Sequence, residues 1–103
     1  MMSNTKTALI TGAAQRLGRA MALSLHHKGY DIVIHYSRSM EQARELLQEL
    51  NRLRPGSALI AQADLAQLDD IQTLSEIVAQ RSERLDVLIN NAGIGLDRRV
   101  ETV

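Results

Sequence analysis

Thr7-Ala8-Leu9-Ile10-Thr11-Gly12-Ala13-Ala14-Gln15-Arg16-Leu17-Gly18-Arg19 is the stretch whose reading decides the fold. Ala8 to Ile10 is an apolar run that reads as a buried strand and stops at Thr11-Gly12. Helical spacing begins at the second glycine, Gly18, with Leu17, Ala20, Met21 and Ser24 on one face. Strand, tight glycine turn and helix therefore follow one another directly. That order puts the unpaired N–H groups of a helix N-terminus at the end of a strand. Spacing alone is equally consistent with a plain turn and with an anion site.

The charges separate the two. A helix N-terminus carries partial positive charge and normally takes Asp or Glu in its first turn. Glu41 opens the second expected helix, and Asp69 and Asp70 open the third. The first has Arg16 and Arg19 at its start and no acid nearby. Each misplaced cation costs roughly 0.3–1 kcal/mol, and an anion held at the turn reverses the sign. The inversion reads as a phosphate site.

Outward from this stretch, the first helix is expected over Arg16 to Lys28, ending at Gly29 with His26, His27 and Lys28 in its last turn, where cations are favoured. Asp31 to His35 is the second strand. Ser39 is expected to cap the second helix, with Gln42 at the capping-box position and Ala43, Leu46, Leu47 and Leu50 as its apolar stripe. Arg54-Pro55-Gly56 breaks it. Ser57 to Ala63 is the third strand, followed by Asp64-Leu65. The third helix, Asp69 to Ser82, packs through Ile71, Leu74, Ile77 and Val78. Asp86 to Asn90 is the fourth strand and leads into Asn91-Ala92-Gly93. The βαβαβαβ order predicts an α/β fold, a doubly wound, Rossmann-like parallel sheet of strand order 3-2-1-4. Its core is expected to include Ile10, Ile32, Val33, Ile34, Leu59, Val87, Leu88 and Ile89.

Composition narrows the partners. The chain has 103 residues, room for one domain, and carries no net charge, 12 basic against 12 acidic residues, with no basic run. Nucleic acid and membrane surfaces are accordingly poor partners. Phe and Trp are absent, so the core is aliphatic, as suits a parallel sheet under helices. The absence of cysteine excludes disulfides, thiolate metal sites and cysteine nucleophiles, and the three histidines lack metal-ligand spacing. Met1 to Lys6 has no apolar signal region and no segment approaches a membrane span, which predicts a cytoplasmic protein.

In a doubly wound sheet, ligands bind outside the carboxyl ends of the strands at the switch point between strands 1 and 4. An NAD site offers Asp or Glu to the ribose hydroxyls at the end of strand 2. This chain offers Tyr36-Ser37-Arg38-Ser39 there, with Arg38 twenty residues after Gly18. A guanidinium suits a phosphate, so the cofactor is expected to be NADP. A P-loop is a poor fit, since Gly18 is followed by Arg19 and Ala20.

Thr11-Gly12-x-x-x-Arg16-x-Gly18, Asp64-Leu65 and Asn90-Asn91-Ala92-Gly93 resemble, in order and spacing, the cofactor half of the short-chain dehydrogenases/reductases. Arginine at position 16, where that family usually has glycine, together with His35-Tyr36-Ser37-Arg38-Ser39, looks like the pteridine reductase branch. Gly93 and Ile94-Gly95-Leu96 depart from that branch, which usually has serine and then aromatics there. The resemblance implies a cofactor site of Gly12, Arg16, Leu17, Gly18, Tyr36, Ser37, Arg38, Ser39, Asp64, Leu65, Asn91, Ala92 and Gly93. Arg16 and Arg38 would meet phosphates, Asp64 and Leu65 the adenine, and Asn91-Ala92-Gly93 the adenosine ribose side. Thr11 would brace strand 1 against the Asn90 segment. The implied activity is hydride transfer from NADPH to a carbonyl or pterin-type substrate.

The family's chemistry uses Ser, Tyr and Lys, the last two four apart. Tyr30 and Tyr36 are followed at that distance by Ile34 and Met40. Residues 1–103 thus read as a partial Rossmann-type domain that stops after the fourth strand, an NADP(H)-binding half without catalytic residues. The alternatives are a non-catalytic nucleotide-binding module and an inactive fragment. The open edge of the fourth strand predicts a homo-oligomer.

Overall fold

A computed structural model describes residues 5–14, 16–82 and 85–91. Seven elements alternate along it: β1 (Thr7–Thr11), α1 (Arg16–His27), β2 (Asp31–Tyr36), α2 (Met40–Leu53), β3 (Ala58–Gln62), α3 (Leu68–Arg81) and β4 (Val87–Asn90). The strands form one parallel sheet in the order β3-β2-β1-β4, as the alternation predicts. β1 pairs on both sides, Leu9 with Val33 and with Leu88, Ile10 with Ile34 and with Ile89. All five of its residues are buried.

The two-residue side-chain period sorts the core into two layers. Ala8, Ile10, Ile32, Ile34 and Tyr36 point to the side packed by Ala22, Ala43, Leu46 and Leu50 of α1 and α2. Leu9, Val33, Ala61 and Ala63 point to the side packed by Leu74 and Val78 of α3. Helices therefore cover both faces. Among the described residues no helix is long and apolar enough to cross a membrane.

Several expectations are corrected. Leu88 is 60% exposed, because it lies on the α3 face of an edge strand that α3 does not reach over. Ile71 is exposed too, leaving Leu74 and Val78 as the buried positions of α3. The inward side of α1 is Gly18, Ala22 and His26, not Leu17, Ala20 and Ser24. The small Gly18 and Ala22 let this helix lie close to the sheet, so the position of its inner face follows size and not hydrophobicity. Ser39 precedes α2 but makes no side-chain cap, and the capping box with Gln42 stays open. Its ψ of 59° is outside the extended range from which a cap hydroxyl reaches the helix amides.

α1 ends as expected at a left-handed Gly29 (φ 102°), with Tyr30 N–H donating to the Leu25 carbonyl and Gly29 N–H to that of His26. The end of the sheet that carries this turn is tied by ions. Asp31 accepts from Arg81 at 2.6 Å and from Arg54 at 3.4 Å. Arg54 also donates to the carbonyls of His26 (3.1 Å) and Tyr30 (2.6 Å), and Arg81 to that of Gly56. One carboxylate at the start of β2 thereby holds the C-terminal ends of all three helices. Asp31→Ala is expected to destabilise the chain by about 1–2 kcal/mol, seen as a lower urea midpoint at unchanged slope. An unchanged midpoint would show that packing alone fixes those helix ends.

Candidate functional site

The opposite edge of the sheet, at the carboxyl ends of the strands, carries the glycine turn. Gly12 sits at φ 62°, a conformation that costs an L-residue about 1–2 kcal/mol. Gly18 is buried against it. A methyl group there would overlap the Gly12 carbonyl oxygen and come within 2.6 Å of Asn91 Nδ2. The two glycines are required by this contact between the turn and the first helical turn, which draws the start of α1 over the end of β1. Arg16, where α1 begins, has φ 54°, the one non-glycine residue with positive φ among the described residues.

The turn is held from both sides. Toward β4, Asn91 Nδ2 donates to the Gly12 carbonyl (3.2 Å), and Asn91 N–H donates to Thr11 Oγ1 (2.8 Å). The Thr11 hydroxyl donates in turn to Asn90 Oδ1 (3.1 Å). Thr11 thus braces β1 against the Asn90 segment as expected. Toward β2, Gly12 N–H donates to His35 Nδ1 (3.0 Å), and Ala13 N–H to the His35 carbonyl (3.1 Å). An Nδ1 that accepts leaves the ring proton on Nε2, which donates to the Ala63 carbonyl at 2.8 Å.

The cations around this turn differ from each other. Arg16 and Arg38 are exposed and have no ion-pair partner among the described residues. Arg19 is paired with Glu49 of α2 at 2.5 Å, which corrects the expectation of no acid near it. The acid arrives across the helix interface and not along the sequence. Of the two arginines that opened the phosphate argument, Arg16 remains free for it, and Arg38 joins it from beyond β2.

Topology brings the other expected residues to the same edge. Leu17 is 64% exposed. Ser37 and Arg38 are exposed and Ser39 half-buried, whereas Tyr36 belongs to β2 and is packed into the core. The Ser37 carbonyl accepts from Gln62 Nε2 at 3.0 Å. Asp64 is exposed, with its N–H held by the Asp70 carboxylate (2.8 Å) and its own Oδ1 accepting from Ala66 N–H (3.0 Å). Leu65 packs half-buried against the α3 layer. Ala92 and Gly93 lie outside the described residues. Among the described residues no group of three His, Cys, Asp or Glu side chains is placed to hold a metal.

Sequence reasoning missed His35. The signal was there: a polar side chain inside the buried run Ile32-Val33-Ile34-His35-Tyr36 must have partners, because an unpaired one costs about 1–3 kcal/mol. His26, expected as a favourable cation, is also buried instead. Ser57 Oγ donates to the Leu50 carbonyl (3.2 Å), so His26 Nε2–H donates to Ser57 Oγ at 2.6 Å.

Burial lowers the pKa of both histidines from the ordinary 6.5; Arg54 lowers His26 further, against Asp31 and, for His35, the Ala63 bond, which raise it. Both therefore protonate less readily in the folded chain than in the unfolded one. Their contribution to stability is complete above pH 6.5 and is lost as pH falls below it. Thermal melts from pH 7.5 to 5 are expected to show the midpoint dropping, with a shallower drop in His26→Gln. A midpoint that is flat or rising over that range would contradict a neutral pair.

The family model for short-chain dehydrogenases matches residues 6–103. The chain is 38% identical over 96 residues to the 3-oxoacyl-(acyl-carrier-protein) reductase FabG of Staphylococcus aureus, covering 93% of this chain and 39% of the relative. It is 36% identical over 92 residues to the 3-oxoacyl-(acyl-carrier-protein) reductase of a Synechocystis species, covering 89% and 37%. To pteridine reductase 1 of Leishmania tarentolae it is 37% identical over 102 residues, covering 82% and 35%. The chain thus spans less than two fifths of the length of each of these relatives. The matched family, the parallel 3-2-1-4 sheet and the glycine turn at its carboxyl edge agree: the chain belongs to the short-chain dehydrogenase family.

Proposed function

We propose that the chain is the NADP(H)-binding half of a cytoplasmic, homo-oligomeric short-chain reductase that passes hydride from NADPH to a carbonyl or pterin-type substrate. The observation that carries the cofactor choice is Arg38. It stands exposed just past β2, where an NAD site has an acid, and has no ion-pair partner among the described residues. Its planar fork suits a 2′-phosphate. Arg16 at the helix start suits the pyrophosphate, and the Gly12–Gly18 contact leaves backbone where a side chain would block it. Asp64 and Leu65 line the adenine, and Asn91, Ala92 and Gly93 the ribose beside it. Tyr36, Ser37 and Ser39 shape the segment that presents Arg38, and Leu17 and Gly18 the turn. The bound cofactor supplies the hydride. The names of the relatives, reductases of 3-oxoacyl groups and of pteridines, support the substrate class.

The Arg38 role is tested by titrating the chain with NADPH and NADH. Arg38→Asp is expected to weaken NADPH binding by about 10- to 100-fold, the scale of a charged hydrogen bond, and to spare NADH. Equal losses for both would remove Arg38 from 2′-phosphate recognition.

A non-catalytic role for this chain by itself is favoured by one observation. Neither Tyr30 nor Tyr36 is followed by a lysine four residues later, so no such pair is present to supply the proton that completes reduction. NADPH absorbance is expected to stay constant with a panel of ketones and pterins. Specific turnover would show that the Ser, Tyr and Lys of the family are dispensable here.

A further inference from the structure

We propose that His35 is a positioning residue for nucleotide binding, a neutral imidazole latch that sets the glycine turn by accepting from Gly12 and donating to Ala63. The inference rests on the nucleotide site proposed above for its effect on affinity, while the latch itself stands on geometry. His35 is 1% exposed and sits on β2, between the two segments that it joins. Its Nδ1 and its carbonyl take the N–H groups of Gly12 and Ala13 at 3.0 and 3.1 Å. The first two donors of the turn are thereby directed into β2 and away from any ligand. An anion then meets the later amides at the start of α1, together with Arg16.

The other ring nitrogen extends the effect across the sheet. Nε2–H holds the Ala63 carbonyl at 2.8 Å, and Ala63 immediately precedes Asp64-Leu65. Ala63 N–H in turn donates to the Tyr36 carbonyl at 3.0 Å, next to His35. One side chain thus spaces the phosphate turn from the segment proposed to meet adenine. It touches neither end of the ligand. A hydrophobic residue of similar size would fill the volume and leave the Gly12 N–H and the Ala63 carbonyl without their bonds.

The two nitrogens can be replaced separately. Asparagine carries an acceptor near the place of Nδ1, and glutamine carries a donor near that of Nε2. The experiment compares wild type, His35→Asn and His35→Gln in the unliganded chain by amide hydrogen exchange and thermal melting, and then by NADPH titration. Gly12 exchange is expected to stay slow in His35→Asn and to quicken about tenfold in His35→Gln, with NADPH affinity about tenfold weaker in both, since each variant keeps only one of the two bonds, at similar melting temperatures. Gly12 exchange that changes equally in the two variants, unchanged affinity in either, or affinity that falls in proportion to melting temperature would make His35 a packing residue and overturn the latch. So would loss of the folded state in both. A wild type that binds no NADPH, yet shows the Asn/Gln difference at Gly12, sinks the nucleotide reading and supports the latch.

Discussion

Everything at the carboxyl edge depends on Gly18 resting against the carbonyl of Gly12. With no side chain between them, the first turn of α1 lies directly over the end of β1, and Asn91 Nδ2 reaches the same carbonyl from the far side. The contact places the helix N-terminus above the end of the sheet, reached from β1 through the short glycine turn. It also fixes the start of α1, and with it the depth at which Ala22 and His26 are buried lower down the same helix. A larger residue at position 18 would move the helix as a unit, since interiors are packed too tightly to absorb a methyl group locally.

The two ends of the sheet use charge in opposite ways. At the amino ends of the strands, Asp31 gathers Arg54 and Arg81, whose remaining donors satisfy three backbone carbonyls. At the carboxyl ends, Arg16 and Arg38 project without such partners among the described residues, and Arg16 does so from a left-handed backbone. Asp31 thus gathers two arginines at one end, whereas at the other Arg16 and Arg38 have no ion-pair partner among the described residues and Arg16 adopts a left-handed backbone.

The order and kind of every element were legible because each strand is an apolar run, the helices between them show helical spacing, and Gly29 and Pro55-Gly56 end the first two helices. Boundaries moved by one or two residues, as at Tyr36, where the pairing with Gln62 continues one position past the apolar run. What stayed hidden depends on neighbours in space. Leu88 has the same composition signal as Leu9, and only its place on an edge strand exposes it. Glu49 is thirty residues from Arg19, and no local rule joins them. The site was legible where it is made of glycines and arginines, since those residue types violate local preferences. For His35 the sequence marks only that a polar side chain lies inside a buried run; which groups it bonds, the Gly12 amide and the Ala63 carbonyl, depends on backbone brought near by the fold.

The bonds that complete the glycine turn span most of the chain: Asn91 reaches Gly12 and Thr11 across 79 and 80 positions. Pairings this distant are late events in folding, because the entropy of closing the intervening loop is spent before the contact forms. The half of the latch made by His35 lies only 23 positions from Gly12 and assembles with the first βαβ unit. During synthesis the turn therefore has one wall early and the other only after residue 91 has left the ribosome. Until then the Gly12 carbonyl and the β4 side of β1 stay open, and the half-built sheet presents an unpaired parallel strand to whatever it meets.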